Sequence, residues 1–419
     1  MRKILYIANY KEGVGGISGQ VEMLHKCVNS NQYEADIFST RGNIAARLWK
    51  FIELICVAKK YDVLHIHGCS DRGMLPVVYG VVAGKIWRKK IIITYHGGGA
   101  EEYFAKHGAF VRRWLCRADK VIVLNGYLEK VFGAYNIPCV VIPNIIELSE
   151  AQEHSAYQWS KPRLISVRHL RELYNIPSIL KAFAIVQEQV PGATLTVLGD
   201  GPMRHELEQM AIDLMENKNT KNTLREINIE NISKPKMNHP QSLDNDSQAT
   251  APYSTQEQAL GQTKDPSIVA NALPDDSEKN DSILESQKNT KNEAARSIQF
   301  IGQVKSSEMA GYLAKSDIML SAPRIDNMPV SLMEAMNAGV LVISSNVGGV
   351  PYLVEDQKSG LLFESQESRA ESREQALAEK ILWAVKNSKE CEQMIANAKL
   401  DIAKYNWKEI KKQILPIYE

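Results

Sequence analysis

The chain has 419 residues, with 50 basic and 49 acidic side chains and a formal charge of +1. That balance excludes a global field of the kind that draws a protein onto nucleic acid, and the length allows two domains with a core each. Six cysteines (Cys27, Cys56, Cys69, Cys116, Cys139, Cys391) stand singly without a Cys-x-x-Cys pair, which argues against a zinc site or disulfide framework and for a reducing compartment.

No run reaches the roughly 18 apolar residues of a membrane span. Met1-Arg-Lys leads directly into the strand pattern Lys3 to Ala8, not into a signal peptide, so a soluble cytoplasmic protein is expected. The turn that follows, Asn9 to Ile17, contains Gly13, Gly15 and Gly16. Such a turn lets backbone N–H groups approach an anion at a helix start, although tight turns also use glycine for steric reasons alone. The spacing is not G-x-G-x-x-G, so a dinucleotide fingerprint is not supported.

Buried-strand runs continue at Asp62 to His67, Lys90 to Thr94, Lys120 to Leu124 and Val140 to Pro143, separated by helical stretches. That alternation predicts a parallel, doubly wound α/β sheet. His65 and His67 are read as facing opposite sides of their strand, against a shared metal site. His96 ends a strand and opens the turn Gly97-Gly98-Gly99, where a side chain can reach a cleft. Basic and aromatic residues mingle in Ile86 to Lys90 and Phe110 to Arg117, as on an ordinary amphipathic helix or on a surface that touches anionic lipid.

Residues 1–145 form the first predicted domain, 146–160 a polar linker and 161–400 the second domain. The latter opens with the strand Arg163 to Val167, then Arg168, Arg171 and Tyr174-Asn175, and continues with the strand Ala193 to Leu198 and the turn Gly199 to Pro202. From 215 to 297 the chain is rich in Asn, Ser, Lys, Gln and Asp, with five prolines and Tyr253 as its sole aromatic residue. Too little apolar surface is available there to offset chain entropy, so a disordered insertion is expected. The pattern resumes at Ile298 to Ile301 and Glu308 to Ala314.

Ser321 to Phe363 carries the densest set of signals. Asp317 to Ser321 reads as a strand ending in a loop with Asp326. Pro329 suits the first turn of a helix that carries Glu334 and closes at Gly339. A strand at Val340 to Ser344 leads to Gly348-Gly349. Two carboxylates are thereby aimed at the carboxyl edge of a parallel sheet, where such sheets bind ligands. Arg369 to Tyr418 is helical in pattern, with an apolar stripe through Tyr405, Trp407, Ile410, Ile414 and Ile417.

The string from Asp326 through Glu334 to Gly348-Gly349 resembles the donor signature of retaining glycosyltransferases of the GT-B fold, in particular glycosyltransferase family 4. The first acidic residue is Asp where the family usually has Glu, Tyr352 replaces a common Glu, and Tyr174-Asn175 replace an expected Lys-Gly. The resemblance implies two Rossmann-like domains facing across a cleft, with residues 401–419 crossing back to the first. It implies a donor that is a UDP-, GDP- or ADP-sugar, a glycan or lipid-linked acceptor, no nucleic acid, and no cofactor or metal.

By the same resemblance, Glu334 holds the ribose hydroxyls, Asp326 a hydroxyl of the donor sugar, and His96 the sugar near its reacting carbon. Arg168 or Arg171 holds the diphosphate. Gly15, Gly16, Asn327, Met328, Pro329, Val330, Gly348 and Gly349 complete the donor site. A bacterial surface polysaccharide, capsule or lipopolysaccharide is the implied product, made at the cytoplasmic face of the inner membrane. Two alternatives stay open: an isomerase of the nucleotide-sugar 2-epimerase type, and a non-catalytic nucleotide-sugar-binding homologue.

Overall fold

A computed structural model describes residues 1–13, 15–30, 32–148, 154–216, 297–364 and 372–419. The expected insertion lies outside these except at its ends: Met215 and Glu216 finish a helix, and Ser297 adjoins a strand. Part of the predicted linker, 149–153, also lies outside them.

The first half alternates β1 (Arg2–Ala8), α1 (Ile17–Val28), β2 (Tyr33–Ser39), α2 (Ile44–Ala58), β3 (Val63–Gly68), α3 (Leu75–Ile86), β4 (Lys90–Tyr95), α4 (Ala100–Leu115), β5 (Lys120–Val123), α5 (Gly126–Ala134) and β6 (Val140–Val141). The second contains β7 (Arg163–Val167), α6 (Ile176–Gln189), β8 (Thr194–Leu198), α7 (Arg204–Glu216), β9 (Ile298–Gly302), α8 (Ser306–Leu313), β10 (Ile318–Ser321), α9 (Val330–Ala338), β11 (Leu341–Ser345) and β12 (Leu361–Phe363). Three helices follow: α10 (Arg373–Lys386), α11 (Ser388–Ile402) and α12 (Trp407–Tyr418). The helical pattern expected from Arg369 to Tyr418 is, from Arg373 on, three helices, with Asn387 and Asn406 at the N-cap positions of the second and third; residues 369–371 lie outside the described ones.

All registered strand pairs are parallel. The first sheet has the order β2-β1-β3-β4-β5-β6 and the second β12-β11-β10-β7-β8-β9. Counted within its own half, the second order is the doubly wound 3-2-1-4-5-6, whose direction reverses between β7 and β10. Ligands of such sheets sit at the carboxyl ends of the strands flanking that reversal. Each sheet is packed on both faces, which explains why strands such as Val63–Gly68 and Leu341–Ser345 are buried throughout.

His65 and His67 share one face of β3, contrary to the expectation, because residues two apart on a strand point the same way. Their ring centroids are 4.5 Å apart. His65 bonds Thr94 Oγ1 through Nε2 and the Tyr418 hydroxyl through Nδ1, both at 2.8 Å. Tyr418 is fully buried although it is the penultimate residue, and its helix α12 packs Ile410 and Ile414 against the first sheet beside Tyr6. Burial pushes His65 down to about 3, so it is neutral near pH 7. Tyr418→Phe leaves the buried His65 Nδ1 without a partner, a loss of about 1–3 kcal/mol. Urea melts at neutral pH are expected to show a lower midpoint with an unchanged slope.

Candidate active site at the carboxyl ends of β7 and β10

Arg168 leaves the end of β7 and meets the loop after β10. Its Nη2 lies 2.8 Å from Asp326 Oδ2 and 3.0 Å from Ser321 Oγ, and its guanidinium stacks 5.3 Å from the Tyr174 ring centroid. The side chains of this pair are only 9% and 17% exposed. Asp326 Oδ1 accepts the Asn327 N–H at 2.8 Å, whereas Oδ2, in the ion pair with Arg168, is buried and accepts no hydrogen bond. Arg171 is exposed at the start of a short 3-10 turn, so Arg168 is the arginine placed in the cleft.

The two departures around position 174 have different consequences. Asn175 adopts the left-handed conformation (φ 50°, ψ 47°) that a glycine would take, and asparagine tolerates it well. Tyr174 supplies a stacking face for Arg168 and no positive charge.

Glu334 lies on α9, half-buried, and its carboxylate has no hydrogen-bond or ion-pair partner among the described residues. Burial alone pushes it up to about 7. The helix starts differently from expectation: Pro329 is its N-cap, with extended backbone (φ −71°, ψ 116°), not part of the first turn. Proline's fixed φ suits either conformation, and its carbonyl accepts from Leu332 and Met333. Gly339 ends the helix left-handed (φ 77°). The N–H groups of Met328, Val330 and Ser331 take no partner among the described residues. With the helix dipole, they offer a place for negative charge.

Gly348 and Gly349 press close to this loop. A Cβ on Gly348, already at φ +52°, would lie 2.2 Å from the Asp326 carbonyl oxygen. The Gly349 N–H donates to that same oxygen at 3.0 Å, and Val347 and Val350 bond within their own turn. Of the four amides from Val347 to Val350, only Gly348 N–H has no partner among the described residues, so this turn has one backbone donor left for a ligand.

Across the cleft, the first domain is fastened to this loop by groups the sequence did not single out. Asn125 caps α5 and donates Nδ2–H to Asn327 Oδ1 at 2.7 Å and to its carbonyl at 3.2 Å. Asn144 Nδ2 donates to the Met328 carbonyl at 3.0 Å. Asn327 Nδ2 in turn reaches the His96 carbonyl at 3.3 Å. A Cβ on Gly98 would lie 2.9 Å from the Asp326 carbonyl carbon, so this glycine permits the close approach. Asn125 and Asn144 each follow a strand end, where asparagine reads first as a cap or turn residue.

His96 Nε2 is 2.9 Å from His67 Nδ1, and burial lowers both, His96 to about 4. His67 Nε2 is buried and unpartnered. A buried lone pair costs less than a buried unpaired N–H, so His67 donates from Nδ1 and His96 accepts at Nε2. The His96 proton then sits on Nδ1. Gly15 and Gly16 stand apart: a Cβ at either would meet nothing within 4 Å, and the Gly13 amide is taken by Glu22. Among the described residues, no three His, Cys, Asp or Glu side chains are grouped to hold a metal ion.

The two parallel-sheet α/β domains define a fold of the GT-B type. The model for Glycosyl transferases group 1 matches residues 278–401, and that for Glycosyltransferase Family 4 matches residues 18–150. The chain belongs to these family 4 glycosyltransferases. A phosphatidyl-myo-inositol mannosyltransferase from Mycobacterium leprae is 27% identical over 124 residues, 29% of this chain and 31% of that one. The match thus spans about a third of that relative. HepE from Anabaena, solved with UDP and glucose, shares the fold with a TM-score of 0.65 and 15% identity over 99% of each chain. Sucrose-phosphate synthase from Thermosynechococcus elongatus does so at 0.67 and 16%, over 100% of this chain and 98% of that one.

Proposed function

We propose that this chain moves a sugar from a nucleoside-diphosphate sugar to a glycan or lipid-linked acceptor with retention at the anomeric carbon. The observation that carries the reading is Glu334: a half-buried carboxylate without a partner, on the helix whose free amides and neighbouring Arg168 suit a diphosphate. Ribose hydroxyls supply the hydrogen bonds that Glu334 lacks. Arg168 and the α9 amides meet the charge that develops as the bond from the anomeric carbon to the diphosphate breaks. The acceptor hydroxyl forms the new bond on the face the leaving group vacates and gives its proton to the departing diphosphate oxygen. Asp326, tied to Arg168, binds a hydroxyl of the sugar and is not a nucleophile, and His96 offers Nδ1–H to the sugar.

HepE, solved with UDP and glucose, supports a nucleoside-diphosphate sugar as donor, and UDP-, GDP- and ADP-sugars are the candidates. Assembly of a surface polysaccharide or lipopolysaccharide on the cytoplasmic face of a membrane follows from the same reading. A panel of UDP-, GDP- and ADP-sugars, read by thermal shift and by release of free nucleoside diphosphate, tests it. One donor is expected to stabilise the protein and to be slowly hydrolysed without acceptor, at the same rate in EDTA. Release of an epimerised nucleotide-sugar instead would favour an isomerase, and no binding at millimolar concentration would overturn the donor site.

A further inference from the structure

On the outer side of the first domain, α2 carries an apolar stripe left open to solvent. Leu48, Trp49 and Ile52 are 63%, 69% and 50% exposed. Residues four apart share a helix face, so Leu48, Ile52 and the exposed Cys56 form one line with Trp49 beside it. At the far end of α2 the Trp87 indole donates to the Ile55 carbonyl at 2.7 Å, and the surface continues onto Ile86 and Trp87, 51% and 37% exposed. Lys59 sits 5.5 Å over the Trp87 ring.

The charge around this stripe departs from the rest of the chain. Residues 41–60 and 85–90 contain nine basic residues and one acidic residue, Glu53, whereas the whole sequence is nearly balanced. A second copy of the chain would set that positive rim against itself. An acidic soluble partner would leave three large apolar side chains without a use. Indole and aliphatic groups ringed by lysine and arginine match the boundary of an anionic bilayer, where the former enter the acyl edge and the latter meet phosphates.

We propose that the α2 face seats the first domain on an anionic lipid bilayer. The parallel topology puts the start of α2 at the carboxyl edge of the first sheet, the edge that also carries His96. Docking there brings the acceptor side of the cleft to the membrane surface, and in this the inference rests on the lipid-linked acceptor reading. Neither basic run noted in the sequence included Leu48, Trp49 or Ile52. Only the fold shows that they lie bare.

Sedimentation with vesicles tests the surface. The full chain is expected to bind phosphatidylcholine–phosphatidylglycerol vesicles at least tenfold better than phosphatidylcholine alone, and to be released as salt is raised. The variant Leu48→Ser/Trp49→Ser/Ile52→Ser is expected to lose tenfold or more of that binding with an unchanged melting temperature and unchanged nucleoside-diphosphate release in solution. A second variant, Lys59→Glu/Lys60→Glu/Lys85→Glu, should lose anionic selectivity. Equal binding to both vesicle types, full binding by the serine variant, or dimerisation through this face without vesicle binding would overturn the proposal. Vesicle binding with no donor bound would instead fault the catalytic reading and leave the surface standing.

Discussion

Glu334→Ala is expected to weaken donor binding tenfold or more, because a half-buried carboxylate accepting ribose hydroxyls contributes roughly 1.5–3 kcal/mol. Calorimetric titration of the donor measures this directly. The same residue carries an opposite effect on stability. Burial raises the Glu334 carboxyl to about 7, so folding favours its protonated form. The stability that this confers is fully present below about pH 4.5 and is lost as pH rises through about 7. Above that, the ionised carboxylate costs the fold on the order of 2–3 kcal/mol. Glu334→Gln is therefore expected to melt higher than the wild type at pH 8, with the gap closing toward pH 5. Donor affinity of the wild type should fall as pH drops below 7, since the anion is the better acceptor. A glutamine variant that melts lower at every pH would show that Glu334 is structural.

Arg168→Ala is expected to lower kcat and kcat/KM together by about 10²–10³, as for loss of a group that acts on transition-state charge. It also strands Asp326 with its partner gone, and breaking such a pair costs up to 3–5 kcal/mol. Arg168→Ala/Asp326→Ala should recover stability without recovering turnover, which separates the two losses. Arg168→Lys should restore little. A lysine ammonium cannot reproduce the planar guanidinium that reaches Ser321 and Asp326 while lying on Tyr174. Near-normal turnover in the lysine variant would move the diphosphate to other cations.

The second domain was the more legible half. Its site sits on one stretch, and the strand–loop–helix order around Asp326, Glu334 and Gly348-Gly349 follows from local rules of strands, caps and left-handed turns. What the sequence could not show is what those side chains already touch. Arg168 and Asp326 are far apart along the chain, and they pair only because β7 and β10 are neighbours at the sheet's reversal. Asn125 and Asn144 read as ordinary caps, yet both reach across to the Asn327–Met328 loop. Tyr418 looked like the end of an amphipathic helix and lies instead in the core of the first domain, bonded to His65. The strand β2 (Tyr33–Ser39) and the short β12 carry weak patterns, and the exposure of Leu48, Trp49 and Ile52 on α2 is visible only in the fold.

The most direct test of the donor site is a comparison of two ligands on two proteins. The nucleoside diphosphate selected by the panel and its 2′,3′-dideoxy analogue are titrated into the wild type and into Glu334→Ala. If Glu334 holds the ribose hydroxyls, the analogue binds the wild type at least tenfold more weakly, and the variant binds both ligands alike. If the analogue loses the same affinity on both proteins, the hydroxyls are held elsewhere and Glu334 is not the donor carboxylate.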